Sequence, residues 1–279
     1  MLQYSGAVFR FIKRILIAIY MRFDILTIFP EAFESYLNTS MLKRARDKKI
    51  ADIRVHDLRK FASDKHKKVD DRSYGGGPGM VLKIEPIVKA IESIFKTNHK
   101  SQIPNRASPT GFSPNLKQIP ISKIQRSKTK IILFSATGKQ FDARMAADFA
   151  KKFDRIIMIA GHYEGIDERV KKVIENLKFK IENLSVGPYV LTGGELPAMA
   201  VVDAVSRHIP GFLGKGESLE EKRFGVGVPV YTRPEIFQLH KKVYSVPRVL
   251  LSGDHKKIAA WRESHIKRTS SRGNGKKGR

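Results

Sequence analysis

The sequence predicts an α/β protein whose strands are joined by single helices into a covered, parallel sheet. Two observations carry that prediction. Short β-prone apolar runs alternate with segments of helical period from residue 22 to residue 208, the pattern of parallel crossover units. Three glycine-containing stretches, Ser135–Gly138, Gly161–Asp167 and Val186–Gly194, fall where predicted strands end, which is where such sheets bind ligands. The chain of 279 residues, 41% apolar, is long enough for two domains and a real core.

Arg22–Phe29 reads as a mostly buried strand ended by Pro30, followed by helices at Glu31–Tyr36 and Ser40–Lys48. Ile53–Leu58 is a second strand, Arg59–Arg72 a polar stretch, and Pro86 launches a helix over Ile87–Phe95. Residues 97–130 contain Pro104, Pro109, Pro114 and Pro120, no acidic residue and seven Lys or Arg. That composition predicts a flexible basic insertion, because it buries too little apolar surface to offset the entropy of ordering. Lys130–Ser135 is a strand, Asp142–Lys151 a helix, Arg155–Ala160 a strand, Ile166–Glu175 a helix and Phe179–Leu184 a strand. Glu195–His208 is a helix with Leu196, Met199, Ala200, Val202 and Val205 as its apolar residues. The domain expectation is therefore an α/β domain over 21–208 and a flexible Gly/Pro-rich linker over 209–234. A small domain with a basic tail follows over 235–279, helical at Glu235–Tyr244 and Ser252–Ile266.

With 53 Lys+Arg against 27 Asp+Glu the net charge is +26. Charge of that size predicts a polyanionic partner, nucleic acid ahead of an anionic membrane surface. His255, Lys256, Lys257, Arg262, His265, Lys267, Arg268 and Arg272 offer a phosphate-facing surface, or simply a solvated helix face. The absence of cysteine excludes disulfides, thiolate zinc sites and Cys nucleophiles and fits a cytoplasmic protein. The eight histidines lack paired ligand spacing, so no metal site is expected. In residues 1–20 the apolar run Ile15–Tyr20 is too short to span a bilayer, and no small-residue cleavage site follows. That segment reads as an upstream extension, untranslated or disordered, with Met21 as the working start.

The stretch Leu184–Leu196, LSVGPYVLTGGEL, has almost no charge and turns twice within a few residues. Gly193 and Gly194 let bare backbone approach a ligand and then start a helix; a buried strand with a plain glycine turn is the alternative. Tyr74–Met80, YGGGPGM, lacks the GKS/T ending of a phosphate-binding loop and the dinucleotide spacing. It leaves a bare backbone surface for a flat ligand, or a tight turn. In Gly161–Arg169, GHYEGIDER, Glu164 or Asp167 can take ribose hydroxyls or an ammonium, or can favour a helix dipole. Arg207, at the end of its helix, is either an ordinary cationic cap or an unquenchable charge aimed at a substrate oxygen.

In this order, FDILTIFPEAF, VDDRSYGGGPGM, GHYEGIDERV, VGPYVLTGGELPAM, DAVSRHIPGFLG and YTRPE resemble the bacterial tRNA (guanine-N1-)-methyltransferases of the SPOUT superfamily, over most of Met21–Thr269. The resemblance implies a trefoil-knotted α/β domain binding S-adenosylmethionine, followed by a linker and a small helical domain that grips tRNA. It also implies a homodimer with shared active sites, no membrane attachment, and N1-methylguanosine 3′ of the anticodon as product. The knot rests on the resemblance alone, since threaded chains are almost absent among proteins. Gly161, Tyr163, Glu164, Val186, Gly187, Pro188, Tyr189, Val190, Leu191, Gly193 and Gly194 become the expected cofactor-binding residues. Mg²⁺ is a further expectation from the family, with no site visible in the sequence.

Guanine N1 carries a proton and is a poor nucleophile at neutral pH, so the reaction needs a base and a cation near O6. Arg207 matches the family's arginine. The family's carboxylate falls two residues before a phenylalanine, where this chain has Lys222; Glu221, one position away, is the expected base. His162, Pro188 and Ala136 stand where the family usually has arginine, aspartate and proline. A lysine at the base position keeps one alternative in view, an RNA-binding descendant of the family with weak or lost catalysis.

Overall fold

A computed structural model of the chain describes residues 21–97, 128–213 and 227–266. The expected extension 1–20, most of the insertion 97–130, the tail beyond 266 and Glu221 lie outside the described residues. The chain divides into two units between Phe212 and Leu213.

The first unit is built on a five-stranded sheet in the order β2-β1-β6-β5-β7. Its strands are β1 (Met21–Thr27), β2 (Ala51–Asp57), β5 (Thr129–Gln140), β6 (Arg155–Ile159) and β7 (Ile181–Ser185), all pairing in parallel. Every residue of β1 and β6 is buried, as expected of central strands covered on both faces. The two-residue strands β3 (Asp70–Asp71) and β4 (Val81–Leu82) pair antiparallel beside it. The helices of this unit are α1 (Glu34–Leu37), α2 (Ser40–Asp47), α3 (Ile84–Thr97), α4 (Ala143–Lys152), α5 (Arg169–Asn176) and α6 (Glu195–Ser206).

One face of the sheet, carrying Leu26, Ile131, Ile157 and Ile159, is sealed by Ile87, Ala90, Ile91 and Ile94 of α3 and by Val170 and Ile174 of α5. Side chains alternate along a strand, so Ile25 and Thr27 point to the other face, where α6 meets β1. Asp24 is fully buried near the start of β1. It takes hydrogen bonds from Arg22 (2.7 Å) and His56 (2.8 Å) and lies 3.4 Å from the Arg155 guanidinium.

Three departures from expectation have local causes. β5 runs to Gln140 because the chain loops out and rejoins: Phe134 and Lys139 both pair with Leu184, leaving 135–138 as an excursion at the sheet's end. α5 begins at Arg169 rather than 166. Ile166 is held in a parallel bridge to Leu82, and the Asp167 carboxylate accepts from Arg169 N–H at 2.9 Å, closing the turn before the helix. Ile209 and Phe212, placed in the linker by composition, are buried in the first unit.

The second unit corrects the helical expectation for Glu235–Tyr244. That segment is a hairpin of β8 (Ile236–Leu239) and β9 (Lys242–Ser245), closed by a two-residue turn with His240 at φ 53°. Ile236, Phe237, Val243 and Tyr244 are β-branched or aromatic and favour strands, and this local preference prevails where the apolar spacing read as helical. Helices α7 (Arg248–Leu251) and α8 (His255–Ser264) follow, the latter capped by Asp254 accepting from Lys256 and Lys257 N–H.

Candidate cofactor cleft

A cleft of about 220 Å³ opens at the carboxyl ends of β5, β6 and β7. The chain passes inward from β5 to β6, then back outside β5 to β7. Such a reversal of strand order is where doubly wound sheets leave a crevice. All three sequence-predicted loops contribute to the wall: Ser135 and Ala136 from the excursion, Gly161–Gly165 after β6, and Val186–Gly194 (without Pro188) after β7.

Two close crossings of backbone shape the floor. A Cβ built on Gly194 would lie 2.5 Å from Ala160 Cα and 3.0 Å from Gly161 N, and one on Gly138 would lie 2.7 Å from the Leu184 backbone. Real side chains do not tolerate such distances, so glycine at 138 and 194 lets one strand of chain lie directly on another. Gly194 N–H donates to Gly161 C=O at 2.8 Å, and Gly193 bridges His162. The loop that leaves edge strand β7 is thereby pinned two strands inward, against the end of β6.

Glu195 anchors the helix that follows. Its carboxylate is 10% exposed, accepts from Thr27 Oγ1 at 2.7 Å and lies 3.8 Å from His162 Nδ1. The His162 ring meets Phe29 and Tyr163 edge-on, each at 4.9 Å, and its Nδ1 is buried without a hydrogen-bond partner. Tyr163 adopts φ 58°, a left-handed conformation uncommon for an aromatic residue. The Tyr189 ring folds back over Gly187, where a Cβ would fall 2.2 Å from Cε1.

Electrostatically the cleft is unlike the rest of the chain. Among the described residues its lining includes no Lys or Arg, and Glu164 is the one acidic side chain. Arg169 instead pairs with Asp167 (Nη2 to Oδ2 2.6 Å), and that contact, first of several, holds the Asp167 carboxyl below its ordinary value. Among the described residues no group of three or more His, Asp or Glu is arranged to hold a metal ion.

Ten of the eleven residues expected to bind cofactor line the cleft. Pro188 does not; it lies exposed at the turn between Gly187 and Tyr189. Lining residues that sequence reasoning left out include Phe134, His162, Ser185, Thr192 and Pro197. His162, Ser185, Thr192 and Pro197 lie inside motifs already singled out and Phe134 lies in a predicted strand, but spatial proximity is what adds them to the lining. Arg207 is elsewhere: it caps the far end of α6, a helix of 12 residues, about 20 Å along the axis from Gly194.

The family described as tRNA (Guanine-1)-methyltransferase TrmD matches residues 21–118 and 112–274. A tRNA (guanine-N(1)-)-methyltransferase of Dictyoglomus turgidum is 42% identical over 253 residues, 89% of this chain and 86% of that protein. One from Geobacter metallireducens is 42% identical over 245 residues, 87% of this chain and 84% of the relative. One from Trichodesmium erythraeum is 41% identical over 256 residues, 90% and 96% of the two chains.

Proposed function

This chain belongs to the tRNA (guanine-1)-methyltransferase family, and we propose that it moves a methyl group from S-adenosylmethionine to N1 of the guanosine 3′ of the tRNA anticodon, in the cytoplasm. One observation carries the cofactor half of this reading. In a chain with 53 Lys and Arg, the described residues that line this cleft include neither. A phosphate-rich nucleotide would need cationic or helix-terminal donors there. A ligand bearing a sulfonium and an ammonium suits a wall of bare backbone, aromatic rings and one carboxylate.

When bound, S-adenosylmethionine supplies an electrophilic methyl carbon on a positively charged sulfur. The residues present fit it. Val186–Leu191 offer backbone N–H and C=O groups for adenine, and the crossing at Gly194 keeps that loop close to the end of β6. Glu164, exposed at the rim, takes the ribose hydroxyls or the ammonium. Because in-line displacement needs alignment more than covalent help, a stiff cleft floor tied through Thr27, Glu195 and the glycine crossing is the useful device. Glu221 takes the N1 proton as general base, and Arg207 stabilises negative charge developing on O6.

That assignment requires a homodimer with shared sites, and two observations support one. Arg207 stands at the opposite end of α6 from the cleft of its own chain. On α6 Leu196 is 60% exposed, and Val190 at 86% and Leu191 at 36% stand on the loop that precedes the helix. Exposed apolar side chains close together in sequence support an association surface here. The close backbone approaches at Gly138 and Gly194 support the trefoil knot that the family resemblance implies. The described residues offer no cluster of three or more His, Asp or Glu for Mg²⁺. No described helix is long and apolar enough to cross a membrane.

The test is transfer of labelled methyl to a tRNA transcript with guanosine after the anticodon, the modified nucleoside identified by mass as N1-methylguanosine. Cofactor and tRNA binding without transfer would instead favour the RNA-binding descendant. Glu221→Gln is expected to lower turnover at least a hundredfold, roughly the contribution of a positioned base, with both affinities retained. Loss on Glu220→Gln or Glu217→Gln instead would relocate the base.

A further inference from the structure

The arm between β2 and α3 has no part in the proposed reaction. Residues 58–83 carry seven Lys or Arg against three Asp. Asp64 accepts from the backbone N–H groups of His66 (2.9 Å) and Lys68 (3.0 Å), closing a turn that sets Lys67 at φ 52°. Lys65, Lys67 and Lys68 are exposed on that turn and form no ion pair among the described residues. The base of the arm is tied by the β3–β4 pairing, by Lys83 N–H to Val69 C=O at 2.7 Å, and by Lys83 to Asp71 at 3.3 Å.

At its tip Tyr74 is 99% exposed. Gly75, Gly76 and Gly77 follow with φ between 81° and 107°, and nothing lies within 4 Å of the Cβ each would carry. The tip returns to the cleft: a Cβ on Gly79 would lie 2.5 Å from Glu164 Cγ, and Glu164 N–H donates to Met80 C=O at 3.1 Å. A cluster of cations whose ammonium groups form no ion pair among the described residues, an aromatic ring standing in solvent and an open strip of backbone therefore adjoin the reaction cleft. Single-stranded nucleic acid is held by that combination, with phosphates on the cations and bases stacked on the ring.

Resting on the tRNA reading above, we propose that this arm is a second RNA-contact surface, with Lys65, Lys67 and Lys68 on backbone phosphates and Tyr74 stacking on a base close to the target guanosine. An acidic protein partner would want an apolar centre inside its charged rim, and Tyr74 is the arm's one large exposed apolar side chain. The surface belongs to the first unit, separate from the basic C-terminal segment that the family resemblance assigns to tRNA.

The experiment compares the full chain with its Lys65→Ala/Lys67→Ala/Lys68→Ala variant, measuring tRNA and S-adenosylmethionine affinity from 50 to 200 mM salt. Losing three single-strand phosphate contacts lowers the log–log salt slope by about 2. The natural chain then loses about twentyfold more tRNA affinity than the variant over that range. Thermal melting and cofactor affinity stay unchanged. Tyr74→Ala raises KM for tRNA, and Tyr74→Phe restores it because the ring is kept. If the natural chain binds tRNA and the triple variant keeps both its affinity and its salt slope, the arm is a solvated turn and the proposal fails while the tRNA reading stands. If the natural chain itself has no tRNA affinity, the tRNA reading fails first.

Discussion

Replacing Gly194 by Ala probes the backbone crossing beneath the cleft with a single methyl group. The glycine has φ −84°, which alanine adopts freely, so the substitution tests space rather than backbone strain. The new Cβ would sit 2.5 Å from Ala160 Cα, whereas carbon atoms settle at about 3.5–4.0 Å. Backbone on one side must therefore move by about 1 Å, in a floor made of backbone on both sides. Overpacking of this kind costs about 1–3 kcal/mol. Lengthening the 2.8 Å bond from Gly194 N–H to Gly161 C=O costs about 1 kcal/mol more. A loss of about 3 kcal/mol lowers the melting temperature by about 6–12 °C for a unit of this size. Calorimetric unfolding measures the first effect and cofactor titration the second, where affinity is expected to fall at least tenfold, about 1.4 kcal/mol. Gly161→Ala is the control for stability, since its Cβ meets only Ile166 Cγ2 at 3.5 Å. A Gly194→Ala protein that melts within about 2 °C of the natural chain, below 1 kcal/mol on the same scale, with cofactor affinity intact, would refute the crossing as the element that holds the cleft.

Two further predictions concern charge and assembly. Burial pushes the Asp24 carboxyl up, but hydrogen bonds from His56 and Arg22 and the charges of Arg22 and Arg155 outweigh it and hold its pKa below the ordinary value. Its contribution to stability is thus fully present above the unfolded pKa and lost as pH falls through the lower folded one. Asp24→Asn is expected to cost about 3 kcal/mol at pH 7, the gap narrowing below about pH 4; urea midpoints that differ equally at both pH values would contradict it. Because Arg207 and the cleft lie at opposite ends of α6, inactive Arg207→Ala and Glu164→Gln chains, once mixed and allowed to exchange, should recover about a quarter of the natural activity through heterodimers with one intact site. Recovery no greater than the sum of the parents would mean that each site is completed within one chain.

The strands, the helices around the sheet and the three loops at strand ends were legible because hydrophobic period and glycine placement are local signals. Glu235–Tyr244 was misread because its apolar residues satisfy a helical spacing about as well as an alternating one. Strand preference of Ile236, Phe237, Val243 and Tyr244, together with the short turn at His240, decides for the hairpin. The anchoring of Glu195 by Thr27 had no sequence signal, since the two residues are separated by 168 positions. His162 was visible only as a departure from the family's arginine, and its burial between Phe29 and Tyr163 comes from packing.

By itself the sequence determined the α/β class, the basic character, the glycine positions and, through six ordered motifs, the family. Those properties depend on neighbours in the chain or on residue types, which order along a string preserves. Tertiary structure alone decided that 186–194 reaches inward from the edge strand to rest on Ala160 and Gly161, that the described residues lining the resulting cleft include no Lys or Arg, and that Arg207 stands at the other end of α6. These are facts about which distant backbones touch. Strand order and close crossing set them, and neither leaves a periodic trace in the residues concerned.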